Sequence, residues 1–189
     1  MAIKINGVDG TFRVPTLLNK KYKYVKFDPQ MTATMLDGGT KIIDIKPKLN
    51  TVWAEVERKA KLKPCNDYFK TLSRINSLSL EDVLKAGDIT LHLLEPKPGS
   101  TYADVPYANT AGRDIGIDPN LLFDVQANLA CTLIHELAHV AGATTNASAP
   151  FVEAHAAEAA LPLCGCAKQY DKTIIGRIQS ISSARFGYA

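Results

Sequence analysis

Thr132-Leu-Ile-His135-Glu136-Leu-Ala-His139-Val-Ala-Gly142 is the stretch on which the reading of this chain turns. His135 and His139 are four residues apart, so on a helix they project from one face, one turn above the other. Two neutral imidazoles at that spacing can grip one zinc ion. Glu136, beside His135 on the same helix, can take a proton from a water on that metal. Apolar residues fill the positions between, which suits a helix buried on every side except the one carrying these groups. The helix is expected from about Val125 to Ala141, with Asp124 as its N-cap and Gly142 as its stop.

A catalytic zinc usually has three protein ligands and one open position, so the two histidines need a partner. Three of the four histidines, His135, His139 and His155, fall within 21 residues. After a small polar loop at Thr144–Ala149, Ser148 and Pro150 open a second expected helix, Pro150–Leu161, which Pro162 ends. On it His155 and Glu158 are three apart and share a face, whereas Glu153 lies well round from both. Glu158 is the preferred third ligand and His155 the alternative. Whichever is not a ligand can orient one of the ligands or donate to an oxyanion. The plain alternative for this helix is an Ala-rich packing element with solvated polar residues.

The remainder of the chain supplies scaffold. Residues 1–48 read as a β-rich part, with strands at Ala2–Asn6, Thr11–Val14, Tyr22–Phe27 and Lys41–Lys46 between Gly and Asp turns. Lys20-Lys-Tyr-Lys-Tyr-Val-Lys26 reads best as an edge strand whose lysines guard against aggregation, rather than as a surface for nucleic acid. From 49 to 189 the chain is mostly helical. Thr51–Leu62 is an expected helix and Asn66–Gly87 one or two further helices, with Ser79 capping the turn that begins at Glu81-Asp82. Asp88–Glu95 reads as a strand on which His92 is packed or exposed rather than a ligand. Glu95–Pro106 reads as a loop and Gly112–Ile117 as a strand, either core or the edge of a cleft that takes an extended peptide. Asp118-Pro119 turns into Asn120–Phe123, and a last amphipathic helix is expected over Asp171–Ser183.

At 189 residues, 46% hydrophobic and 22% charged, the chain is expected to form one domain with a real core. A net charge of +3 does not argue for nucleic acid or acidic lipid, and no apolar run is long enough to cross a bilayer. The N-terminus lacks the pattern of a secretory signal. The expectation is therefore the cytoplasm, or export by another route. Cys65, Cys131, Cys164 and Cys166 are expected as structural or redox-silent thiols. Their even number permits two bridges in an exported protein, with pairing not deducible from sequence. Cys131, one turn before His135, reads as a buried thiol beneath the site.

The His135-Glu136-Leu-Ala-His139 arrangement, with apolar Leu133-Ile134 before it and Val140-Ala141 after it, resembles the signature of the zincin metallopeptidases. The resemblance covers about Asp118–Tyr170. Gly142 matches the metzincin pattern, but Thr145 stands where the third histidine of that group would be. No aspartate lies between His139 and Asp171, which departs from the aspzincins, although Ile115-Gly-Ile-Asp-Pro119 is similar to the strand before their active-site helix. Glu158 resembles the downstream glutamate of the gluzincins, without the asparagine and acid that flank it in the thermolysin type. The resemblance implies a zincin-like α+β fold: a small mixed sheet packed on an active-site helix with further helices, and two lobes around a cleft. It implies zinc as cofactor, a peptide or protein substrate, Glu136 as general base, and His155 or Tyr170 as donor to the oxyanion. The alternative is an inactive zincin-fold interaction module with a structural zinc.

Overall fold

The computed structural model describes residues 4–6, 22–25, 29–72, 77–87, 89–96, 108–111, 113–143, 150–166 and 178–182. Leu91-His-Leu93 and Ile115-Gly-Ile117 are each buried along their whole length, which marks strands covered on both faces. They belong to β5 (Thr90–Pro96) and β7 (Asp114–Ile117), which run parallel with Leu91 opposite Ile115. On the other side of β5 lie β1 (Lys4–Ile5), parallel, and β2 (Tyr22–Val25), antiparallel and further along the strand. β6 (Ala108–Ala111) pairs antiparallel with β7 and closes the order β1–β5–β7–β6. The expected strand at 112–117 is thus interior, and among the described residues β6 is an edge.

His92 is a packed histidine, fully buried at the centre of this sheet. The Asn6 amide donates to Nδ1 at 2.9 Å, so the proton sits on Nε2, which donates to Asp114 Oδ1 at 2.7 Å. The chain of bonds ties the end of β1 to β5 and β7. A second sheet has the order β4–β3–β8, all antiparallel, from β3 (Gln30–Met35), β4 (Thr40–Asp44) and β8 (Ile178–Ser182). In β3 Met31 and Ala33 face inward, while Thr32 and Thr34 are half-buried.

β8 corrects the last expected helix, at least over 178–182. The three- and four-residue spacing of Ile174, Ile178 and Ile181 fits a helix. Pairing of Ile181 with Ala33 and Ser180 with Thr34 makes the segment a strand instead, because cross-strand partners outweigh local periodicity. The first helix also differs. α1 (Ile45–Ala60) begins six residues before Thr51, with Pro47 in the first turn, where a missing N–H is tolerated. α2 (Lys63–Leu72) and α3 (Leu80–Lys85) divide the next expected helical stretch. Ser79 caps α3 as expected: its hydroxyl accepts from Asp82 N at 3.1 Å while Asp82 Oδ2 accepts from Ser79 N at 3.0 Å.

α4 (Gln126–Ala141) carries the histidines and is buried nearly all round through Leu129, Ala130, Leu133, Ile134, Leu137 and Ala138. Each large member contributes about 1.5–3 kcal/mol of burial. Its N-cap is Val125, not Asp124. The Asp124 carboxylate accepts from Val125 N at 2.7 Å, one residue too early to cap the helix. α5 (Pro150–Leu163) passes through Pro162 instead of ending before it. The helix stops at Gly165 (φ +67), where the N–H groups of Cys164 and Cys166 close on Ala160 O and Leu161 O at 2.9 and 2.8 Å.

The cysteines are the largest correction. They form two disulfides, Cys65–Cys164 and Cys131–Cys166, and no cysteine is free. Among the described residues the result is a mixed α+β fold, two small sheets with helices packed against them. No described helix is long and apolar enough to cross a membrane. The expected strand at Thr11–Val14, the loop at 97–106, Thr144–Ala149 and Tyr170 lie outside the described residues. Because Cys65–Cys164 spans 99 residues, its loss should destabilise the chain by roughly 5 kcal/mol on the loop-entropy relation. Urea unfolding of the Cys65→Ala/Cys164→Ala variant checks this.

Candidate metal centre

The entry to α4 is held from below by two lysines. Lys41 Nζ donates to Phe123 O at 2.8 Å and Lys48 Nζ to Asp124 O at 2.7 Å, fixing the end of the 3-10 turn Pro119–Phe123. The exit is made by Gly142, whose φ of 120° ends the helix and turns the chain back over its last turn. Few side-chain-bearing residues adopt that backbone. The turn brings Ala143 O to 3.0 Å from His139 Nδ1. A carbonyl only accepts, so Nδ1 of His139 carries the proton and its Nε2 presents a lone pair.

That lone pair faces the other histidine. His139 Nε2 and His135 Nε2 are 3.3 Å apart, with the two rings edge-on at 70° and centroids 5.0 Å apart. Two imidazole nitrogens bound to one tetrahedral zinc at about 2.0–2.1 Å would stand about 3.3–3.4 Å apart. The spacing therefore fits a shared metal. Burial, and then the neighbouring His139, lowers the pKa of His135 from 6.5 to about 4, so at neutral pH it is in the uncharged, ligating form.

His135 Nδ1 decides how the pair is protonated. This atom is buried and makes no hydrogen bond, and Glu158 Oε1 lies 3.5 Å from it. With a proton on Nε2, His135 would satisfy His139 but turn a bare Nδ1 toward a carboxylate. With the proton on Nδ1, the carboxylate is matched and two lone pairs oppose each other across 3.3 Å. The second arrangement is stable only with a cation between them.

Glu158 reaches this position because α4 and α5 are antiparallel. Cys131 is joined to Cys166 at one level and His135 meets Glu158 at the next. The Tyr68 hydroxyl donates to Ala156 O at 2.8 Å and steadies α5 from α2. The Glu158 side chain is 49% exposed, and the nitrogen it approaches is Nδ1, not the one facing His139. Glu136 is buried, 5% exposed, next to His135 on α4. His155 is one turn before Glu158 on α5, and its side chain lies outside the description, as does Tyr170. Among the described residues no three His, Cys, Asp or Glu side chains converge as a formed metal site.

Among the expected residues, the structure thus pairs His135 with His139 through Nε2 and places Glu158 on the Nδ1 side of His135. What the sequence reading missed is the Ala143 carbonyl, legible only in part from the Gly142 stop, and the cross-helix disulfides. Comparison with known proteins returns no matching family model, no matching curated protein and no matching solved structure. The zincin resemblance therefore rests on the motif and its surroundings alone.

The depressed pKa of His135 has a measurable sign. Between about pH 6.5 and 4 the unfolded chain holds a proton that the folded site excludes, so stability falls as the pH drops through that window. For metal-free protein the loss should approach about 3 kcal/mol by pH 4. Urea unfolding at pH 7 and pH 4.5 should show this loss in the wild type and much less of it in His135→Asn.

Proposed function

We propose that this chain is a zinc-dependent metallopeptidase of zincin type that hydrolyses peptide bonds. The observation that carries the proposal is the opposed pair of histidine nitrogens, 3.3 Å apart, with the Ala143 carbonyl holding the tautomer of His139. His135 and His139 hold the metal through Nε2. Glu158, which in the structure lies 3.5 Å from Nδ1 of His135 and not beside Nε2, becomes the third ligand by a change of rotamer, and His155 is the alternative. When bound, zinc supplies a water of pKa roughly 7 and polarises the scissile carbonyl.

With the metal in place, Glu136 would accept the proton of the attacking water and deliver it to the leaving amine. Its burial keeps bulk water from competing for the transfer. Substrate binding is supported by β6, which among the described residues pairs on one side only and runs beside α4. An extended peptide can add to that edge as a further strand, which places its backbone along the histidine helix. β6 and α4 then form one wall of a cleft and α5 the other, a two-lobed arrangement. His155 or Tyr170 donates to the oxyanion. The two disulfides favour an oxidising compartment over the cytoplasm.

The second reading is an inactive interaction module of the same fold with a structural zinc. Turnover separates the two. Glu136→Gln should retain one zinc per chain while cleavage of a peptide library drops by at least 10²-fold. Cleavage that survives this change contradicts the assigned base. Zinc content of Glu158→Ala and His155→Ala names the third ligand, and the expected result is loss in the first and retention in the second.

A further inference from the structure

The two disulfides meet at one place, the turn Cys164-Gly165-Cys166 that ends α5, yet they lead to different elements. Cys164 is joined to Cys65 on α2, and Cys166 to Cys131 on α4, one turn before His135. The turn is also held from α1. Lys59, 5% exposed, donates its ammonium to Gly165 O at 2.6 Å and to Cys164 O at 3.4 Å, with Glu55 Oε1 3.7 Å away. Gly165 takes a positive φ there, and the space beside it where a side chain would begin lies against Leu62 and Lys59.

Among the described side chains of α5, those buried are Ala157, Ala160 and Leu161. Alanine methyls bury little area, and they allow helices to slide because they offer no interlocking shape. The connection between α4 and α5 joins the ends far from Cys131. From α2, the Tyr68 hydroxyl holds Ala156 O at 2.8 Å. From α4 itself, the polar approach at the level of His135 is that of Nδ1 to Glu158, which at 3.5 Å is longer than a hydrogen bond. The Cys131–Cys166 bridge is the covalent link between α4 and α5, one turn before His135.

We infer that the Cys131–Cys166 disulfide is a positioning element for the metal pair, holding α5 and its carboxylate at the correct distance from His135. This inference rests on the metal site proposed above. The Cys65–Cys164 bridge, although it closes a longer loop and stabilises the fold more, does not have this role. With Cys131–Cys166 opened, Cys65 and Lys59 keep the end of α5 docked, so the chain stays folded while the α4–α5 spacing is released.

The test compares zinc dissociation constants, by competition with a chromophoric chelator, for wild type, Cys131→Ala/Cys166→Ala and Cys65→Ala/Cys164→Ala. Loss of the first bridge should raise the Kd about 10–100-fold, the range seen when partners that orient metal ligands are removed. Loss of the second should lower the unfolding temperature more, yet leave the Kd within about threefold. The cobalt(II) absorption spectrum should change in the first variant only. A folded Cys131→Ala/Cys166→Ala protein with wild-type affinity overturns the inference. So does an affinity loss that tracks stability across both variants. If the first variant does not fold, partial reduction and alkylation of folded wild type, with peptide mass locating the opened bridge, gives the same comparison. Global unfolding on opening of this bridge, read by circular dichroism, also overturns the inference, because the bridge is then a staple of the whole fold. Wild type that binds no zinc overturns the metallopeptidase reading itself, whereas failure confined to the variant comparison leaves that reading standing.

Discussion

Two imidazole nitrogens 3.3 Å apart are the constraint from which the rest of the site follows. With His139 protonated on Nδ1, the pair either shares a proton on Nε2 of His135 or faces a cation held between two lone pairs. The spacing is maintained because each ring is fixed from behind: His139 by the carbonyl of Ala143, His135 by burial and the nearby Glu158. A helix with free space around it would relax by rotating one ring. α4 lacks that freedom, since Leu133, Ile134, Leu137 and Ala138 are fully buried on its other faces. The apolar packing of α4 and the placement of the two imidazoles are therefore one design problem. Residues outside the histidine pair set the ring positions.

The same logic extends to the scaffold. The larger sheet lies behind α4, its centre locked by the Asn6–His92–Asp114 chain of hydrogen bonds, and β6 is left as the edge beside the histidine helix. On the other side α5 packs with alanines, which lets a helix approach closely but holds it weakly. Covalent bridges from Cys164 and Cys166, and the buried Lys59 ammonium on the carbonyls of that turn, provide what the small side chains do not. The strongest part of the fold thus sits where the proposed ligand helix is least able to hold itself.

Much of this was legible in the sequence where a local rule has one outcome. The 135–139 spacing, Gly142 as a helix stop, the Ser79 cap and the strand containing His92 all follow from period or cap chemistry. The misses share a different cause. Ile178 and Ile181 fit helix and strand alike, and only β3, about 145 residues earlier in the chain, selects between them. Pro162 reads as a helix end, but the Gly165 turn one step later satisfies the last carbonyls. Cysteine pairing depends on distances that no spacing encodes, so Cys131 read as a buried thiol when it is half of a cross-helix bridge. The Ala143 carbonyl is a backbone group, invisible to any motif, yet it fixes the tautomer on which the metal reading depends.

The most direct measurement is X-ray absorption at the zinc edge on protein loaded with one equivalent of the metal. Two imidazole nitrogens in the first shell at about 2.0–2.1 Å, with the remaining ligands oxygen or nitrogen and no sulfur, are the predicted result. A shell without imidazole, or one containing sulfur, would contradict the paired-histidine site.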